Sequence, residues 1–330
     1  MTRAWLLLIG LVVIWGSHWV VVKVGLETIP PFTYGVLRLL GGMVVLAGLM
    51  SVTGRLHRPD RHDWPIIVSY GLLAVGLGIT MMNLALPYIP AGRSSILAYT
   101  IPLWVVPVMA VLARTLPTRR ELVGLVLGLV GLALLLNPVA IDWTAEGTLI
   151  GSLLLVLGAM GAALALVHVR QHPWTGTPFD TQLWQLLVAL IPIALLMLLL
   201  ERDHIGEIQW DLPTALAVLY SGPLATAFAF WASQMIVKAL GPLTTGIGYL
   251  GAPAVGVVAG IIVLGETISL LDVMGIAVTA AAIVVVLLAQ RPARGGTPGP
   301  MTEIPLPDGA ELPETIVPFE DGPAPESHRT

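Results

Sequence analysis

The sequence predicts an all-α integral membrane protein: ten transmembrane helices forming two inverted five-helix repeats, with N and C termini cytoplasmic. Three observations predict it. The first 290 residues are a series of long apolar stretches, Lys and Arg concentrate on alternate breaks between them, and the chain matches itself when shifted by 151 residues. Composition agrees, at 56% hydrophobic and 11% charged residues, with a mean hydropathy of +0.88.

The stretches lie at 4–23, 31–51, 64–86, 90–112, 120–137, 148–169, 182–200, 212–232, 241–263 and 269–289. A helix rises about 1.5 Å per residue, so ~20 residues cross a hydrocarbon core of roughly 30 Å. A soluble helical protein needs amphipathic helices with a charged face, yet residues 148–166 carry no charge and Glu121 is the single acid between Arg120 and Asn137. The runs are continuous and do not alternate, which excludes a β-barrel. The first run has no small-residue cleavage site behind it and reads as a retained helix. Without cysteine there is no disulfide, thiol nucleophile or Cys-based metal site.

Orientation follows from the basic residues. One side of the ten spans carries Arg3, Arg55, Arg58, Arg61, Arg114, Arg119, Arg120, Arg170, Lys238, Arg291, Arg294 and Arg329; the other carries Lys23, Arg93 and Arg202. The richer side is expected to be cytoplasmic, in a multi-pass plasma-membrane protein (the inner membrane of a Gram-negative source). Residues 1–290 hold 13 Lys/Arg and 13 Asp/Glu, so the formal charge of −4 comes from residues 291–330, with 3 Arg and 7 acids. That tail is rich in Pro and Gly and is expected to be a disordered acidic cytoplasmic extension.

At the 151-residue offset Asn83 falls on Gln234, Ile96 on Ile247, Pro102 on Pro253 and Gly124 on Gly275. The repeats are expected at 4–137 and 148–289. Five spans per half is odd, so the second half enters the membrane from the opposite side. Such inverted repeats suit alternating access, since exchanging the conformations of the halves turns an outward opening inward.

The halves also carry the marks of a known group. IWGSHWVVVK, the arginine in VLRLLGG, LAYTIPLWVVPVMAVL, and the Pro, Gly-Glu and Gly series of YLGAPAVGVVAGIIVLGETISLLDVMGIAVTAAAIVV resemble the EamA-like transporters of the drug/metabolite transporter superfamily, over residues 5–289. The resemblance implies ten helices, cytoplasmic termini, a central cavity built mainly from helices 1, 3, 4, 6, 8 and 9, and movement of small solutes, commonly efflux of amino acids or other metabolites. Two residues depart from the pattern: His18 stands where the opening motif often has Asn, and Thr115 stands where the repeat partner has Glu266.

Polar residues inside a span are costly unless paired or wet, and are therefore the candidate site. His18, between Trp15 and Trp19, can bind a solute or relay a proton, or donate to a neighbouring carbonyl. The substrate-binding set is His18, Trp15, Asn83, Tyr99, Trp231, Gln234 and Tyr249. Arg38 can attract a carboxylate or bond helix ends; the resemblance, which spans varied solutes, favours a gating or structural role. Glu266 is expected to cap the turn between spans 9 and 10. Pro102 and Pro253 each remove an intrahelical bond midway along a span and allow bending. The glycines of GLVLGLVG at 124–131 permit close packing inside the monomer or a homodimer face.

No catalytic constellation, cofactor motif or metal set is expected. The acids sit in loops, and His168 and His172 lie at a span edge without further ligands. Nucleic-acid binding lacks a basic surface. The expected partners are a small-molecule metabolite and the lipid bilayer, with proton coupling through His18 a subsidiary expectation. The reading is a secondary transporter; a non-transporting receptor or scaffold using the tail is the alternative.

Overall fold

Helix starts are written into this chain as prolines and short polar caps. The computed structural model describes residues 2–89, 91–114, 116–136, 147–264 and 270–289, and among them there are helices, turns and coil but no strand. The helical stretches are α1 (Thr2–Leu26), α2 (Pro31–Val52), α3 (Arg61–Ala85), α4 (Ser94–Leu112), α5 (Arg119–Leu136), α6 (Thr148–Gln171), α7 (Pro178–Leu200), α8 (Leu212–Leu240), α9 in two pieces (Pro242–Tyr249 and Gly251–Leu264) and α10 (Leu270–Ala289). Seven of them, α1–α4 and α6–α8, are long and apolar enough among the described residues to cross a membrane. The tail at 291–330 and Glu266 lie outside the described residues.

Proline opens α2 and α7 at the first helical position, where its missing N–H has no helical partner to lose. At α8, Asp211 accepts a 2.8 Å hydrogen bond from the Thr214 N–H, and Thr214 holds the Asp211 carboxyl below the usual carboxylate range. Gly241, at φ +85°, turns the chain from α8 into α9 through a conformation that favours glycine, and Pro242 follows.

Long-range polar contacts tie α2 to α7 at both ends. Glu201, just after α7, accepts from the Phe32 N–H at 2.9 Å, the Thr33 N–H at 2.7 Å and the Thr33 hydroxyl at 2.8 Å, at the start of α2. Arg55, just after α2, donates to Asp180 at 2.9 Å, in the first turn of α7. The two helices are therefore antiparallel. Close approaches at small residues set other pairs: a Cβ on Gly128 would meet Leu250 and Ala282, and one on Gly131 would meet Thr279 and the Gly275 carbonyl. Part of the 124–131 glycine series thus packs against α10 within the chain, and α5 and α10 also run antiparallel.

Three stretches among the described residues widen into π-helix: Met109–Ala113 in α4 and, at corresponding places in the two halves, Tyr70–Leu77 in α3 and Tyr220–Phe228 in α8. Gly71 and Gly222 sit in the last two where the backbone of α7 and of α2, respectively, comes close: an added Cβ would lie 2.6 Å from the Gln185 carbonyl oxygen or 3.0 Å from the Gly42 nitrogen. Such widened turns redirect side chains and often mark functional sites.

At the end of the bundle that carries Arg55, buried Asp63 accepts from His172 Nε2 at 2.9 Å, the Thr175 hydroxyl at 2.8 Å and the N–H groups of Thr175 and Gly176 at 3.2 and 2.8 Å. It fastens the 172–177 loop to the start of α3. Asp63→Ala leaves these donors unmatched and is expected to cost about 2–3 kcal/mol, read as a lower half-denaturation temperature of the detergent-solubilised protein by size-exclusion chromatography after heating.

Candidate functional site

A cavity of about 130 Å³ lies inside the bundle, lined from α1, α3, α4, α6, α8, α9 and, through Arg38, α2. Four rings form one connected wall. Trp15 meets Phe230 edge-on at 5.5 Å and Tyr249 at 5.2 Å between centroids, and Tyr70 meets Phe230 at 6.2 Å. Trp19 and Tyr99 close another side at 6.4 Å. Each polar tip of the four-ring wall has a partner: Trp15 Nε1 donates to the Ala225 carbonyl at 3.1 Å, Tyr70 to the Phe230 carbonyl at 3.2 Å and Tyr249 to the Ser233 hydroxyl at 2.6 Å. The rings are fixed by these bonds and present apolar surface inward.

Both tyrosines of the halved helices stand at a break. In α4 the α-helix stops at Tyr99–Thr100 and resumes at Ile101, with Pro102 second in the new piece; in α9 it stops at Leu250 and resumes at Gly251, with Pro253 third. The breaks fall in the turn before each proline, the turn whose hydrogen bond the missing proline N–H would have closed. Tighter bonds carry the chain across, from Thr100 N–H to the Leu97 carbonyl and from Leu250 N–H to the Ile247 carbonyl, at 3.2 and 3.1 Å. Discontinuous helices at mid-bundle are where irregular backbone can line a cavity.

His18 is 3% exposed and faces the cavity from α1. Its Nε2 lies 2.9 Å from the Ser221 hydroxyl, which lies 2.6 Å from the Tyr34 hydroxyl, and Tyr34 donates to the Ala217 carbonyl at 3.3 Å. The series ends on a backbone carbonyl, which accepts a hydrogen bond but does not store a proton. Arg38, 2% exposed, donates from Nε to the Thr226 hydroxyl at 3.0 Å.

Of the expected binding residues, Trp15, His18, Tyr99 and Tyr249 line the cavity together with Arg38; Asn83, Trp231 and Gln234 do not. Asn83 donates to the Pro31 carbonyl at 2.8 Å, linking α3 to the start of α2. Gln234 belongs to a buried amide cluster between α7 and α8: it exchanges bonds with Gln185 at 2.8 and 3.0 Å and donates to Gln182 at 2.6 Å. Trp231 is half-buried against Phe228, with ring centroids 5.8 Å apart. Tyr70, Phe230 and Ser233 line the cavity and were not singled out by sequence. The signal for Ser233 was its place one residue before Gln234, on the adjoining face of the helix.

Among the described residues no group of three or more His, Asp or Glu is arranged to hold a metal ion. What the site can do is enclose a small, largely apolar solute between rings drawn from both halves, with a guanidinium and an imidazole at its polar edge.

Comparison with known proteins gives a consistent result. The profile of the EamA-like transporter family matches twice, over residues 2–137 and 149–288. The uncharacterized transporter YoaV of Bacillus subtilis (strain 168) is 22% identical over 276 residues, 83% of this chain and 93% of its own. The uncharacterized inner membrane transporter YedA of Escherichia coli (strain K12) is 26% identical, covering 86% of this chain and 90% of its own. A probable amino-acid metabolite efflux pump of Salmonella typhimurium is 26% identical, covering 80% and 88%. One crystal structure superposes with a TM-score of 0.69 at 21% identity, over 88% of this chain and 99% of that one, and so shares the fold.

Proposed function

This chain belongs to the EamA-like transporter family, with two EamA repeats in a multi-pass plasma-membrane protein, and from that premise we propose a secondary transporter that exports a small organic metabolite, an amino acid or related compound, by alternating access. The observation that carries the reading is the central cavity, whose wall takes Trp15 and Tyr70 from the first repeat and Phe230 and Tyr249 from the second. A site shared between repeats changes its access when they rock against each other.

The topology proposed is ten crossings in inverted repeats, with the Arg55 end of the bundle cytoplasmic. Support comes from two pairs of repeat-equivalent helices, α2 with α7 and α5 with α10, which run antiparallel as a two-fold axis in the membrane plane requires. The breaks in α4 and α9, at equivalent positions next to Tyr99 and Tyr249, supply bending points. Solute contact is assigned to Trp15, Tyr99 and Tyr249, with His18 at the edge.

Counterflow in proteoliposomes preloaded with amino acids and related metabolites tests the reading. Retention of one labelled solute, abolished by excess of the same solute outside, is the expected result; silence across the panel with folded protein would sink it. Trp15→Ala is expected to lower counterflow at least tenfold, because it removes the ring that bridges Phe230 and Tyr249. His18→Gln is expected to leave the pH profile of counterflow unchanged, since the His18–Ser221–Tyr34 series ends on a carbonyl. A flattened profile would instead make His18 part of a proton path.

A further inference from the structure

Among the described residues Arg38 is a buried cation with no anion paired to it. Its Nε has Thr226, but its Nη1 is enclosed and has no hydrogen-bond partner. The ion pairs found among the described residues involve Asp63, Asp180, Asp203 and Glu207, and none involves Arg38. A guanidinium carries five N–H donors in a planar fork and stays charged under all ordinary conditions. Held in an apolar bundle without a counter-charge, it is costly unless an anion or water meets it. Arg38 carries that cost at the wall of the central cavity.

The rest of the lining is as informative. Among the described residues no Asp or Glu contributes to it, and apart from His18 and the Ser233 hydroxyl the lining is aromatic rings and aliphatic groups. We infer that the cavity selects a net-anionic solute, a monocarboxylate with a ring-sized apolar body, whose carboxylate sits on Arg38 while its body lies against Trp15, Tyr70 and Phe230. The inference rests on the transport reading and narrows its solute from amino acids and related compounds to the related acids, those that lack a charged amine.

Three physical reasons support this. A carboxylate matches the guanidinium fork, and a small turn of the enclosed Nη1 toward the cavity would give it the acceptor it lacks. An α-ammonium would leave water for ring faces, the Ser233 hydroxyl and the His18 imidazole, with no carboxylate among the described lining residues to pair it, and Arg38 repels it. The volume, about 130 Å³, is close to that of an apolar cavity known to take up one benzene ring, about 150 Å³.

The test is binding of four compounds of one skeleton to the purified full-length protein, followed by quenching of tryptophan fluorescence and checked by equilibrium dialysis. Phenylacetate carries the carboxylate, phenylacetamide is its neutral isostere, phenylglycine adds the ammonium and benzylamine is the cation. Phenylacetate is expected to bind at least tenfold more tightly than each of the others. Arg38→Gln is expected to erase that preference and Arg38→Lys to retain part of it, with folding checked by size-exclusion chromatography. The ranking in the unaltered protein decides the matter even if neither variant folds.

Equal or tighter binding of phenylacetamide, phenylglycine or benzylamine overturns the inference, as does an Arg38→Gln protein that keeps the preference. Binding of none of the four, with counterflow of some other solute intact, also overturns it and leaves the transporter reading standing. Binding in the expected order without counterflow of any solute supports the site and overturns the transport reading instead.

Discussion

Gly16→Ala, a change of one methyl group, is expected to lower the stability of the solubilised protein by about 3 kcal/mol and to abolish counterflow. Gly16 lies where α1 crosses the second piece of α9. A Cβ there would be 2.6 Å from the Ala252 carbonyl oxygen and 2.6 Å from Val255 Cβ. One obstacle is backbone and the other is the root of a β-branched side chain, so neither can swing away. The helices have to separate, which forfeits the close approach on which membrane helices depend when lipid offers no hydrophobic driving force. Function fails for a further reason: Trp15 and His18 flank Gly16, so a displaced α1 withdraws both from the cavity. The measurements are the half-denaturation temperature by size-exclusion chromatography and counterflow at a temperature where the variant is still folded. Normal counterflow in the variant would mean that the packing of α1 on α9 does not set the cavity.

Glu201→Ala is expected to cost about 2–3 kcal/mol, and Glu201→Gln roughly half as much. The carboxylate is 7% exposed and receives three hydrogen bonds from Phe32 and Thr33. These are unfilled donors of a helix start, and an anion there is also favoured by the helix dipole. Alanine leaves two buried N–H groups without acceptors. Glutamine keeps one carbonyl acceptor but loses the charge, and its amide nitrogen opposes a donor. Proteolysis of the 201–211 loop gives a second readout, because release of Glu201 frees the chain just after α7. If the two variants lose equal stability, charge rather than acceptor geometry holds the junction.

The interactions that matter most were the ones least visible in sequence. Glu201 read as one of several loop acids, yet it reaches 168 residues back along the chain to cap α2. Gln234 read as a cavity residue because it is polar, near the end of its span and repeat-related to Asn83. In the fold its amide group is consumed by Gln182 and Gln185. Polarity within a span says that a side chain needs a partner, and leaves open whether that partner is a solute or another helix. Arg38 shows the converse: the resemblance favoured a structural role, while its place on the cavity wall with an unmatched Nη1 points to a ligand.

The sequence by itself determined the class of the protein, its family and its paired organisation. These follow from transfer of apolar side chains out of water, from helical rise and from self-similarity, all properties of contiguous chain. Only the tertiary structure decided azimuth: that Trp15, Tyr70, Phe230 and Tyr249 face one space, while Asn83 and Gln234 turn to neighbouring helices. A helix hydrophobic all round carries little record of which face meets lipid, which meets protein and which meets solute. That choice is made by close packing at positions such as Gly16 and by hydrogen bonds between residues far apart in the chain.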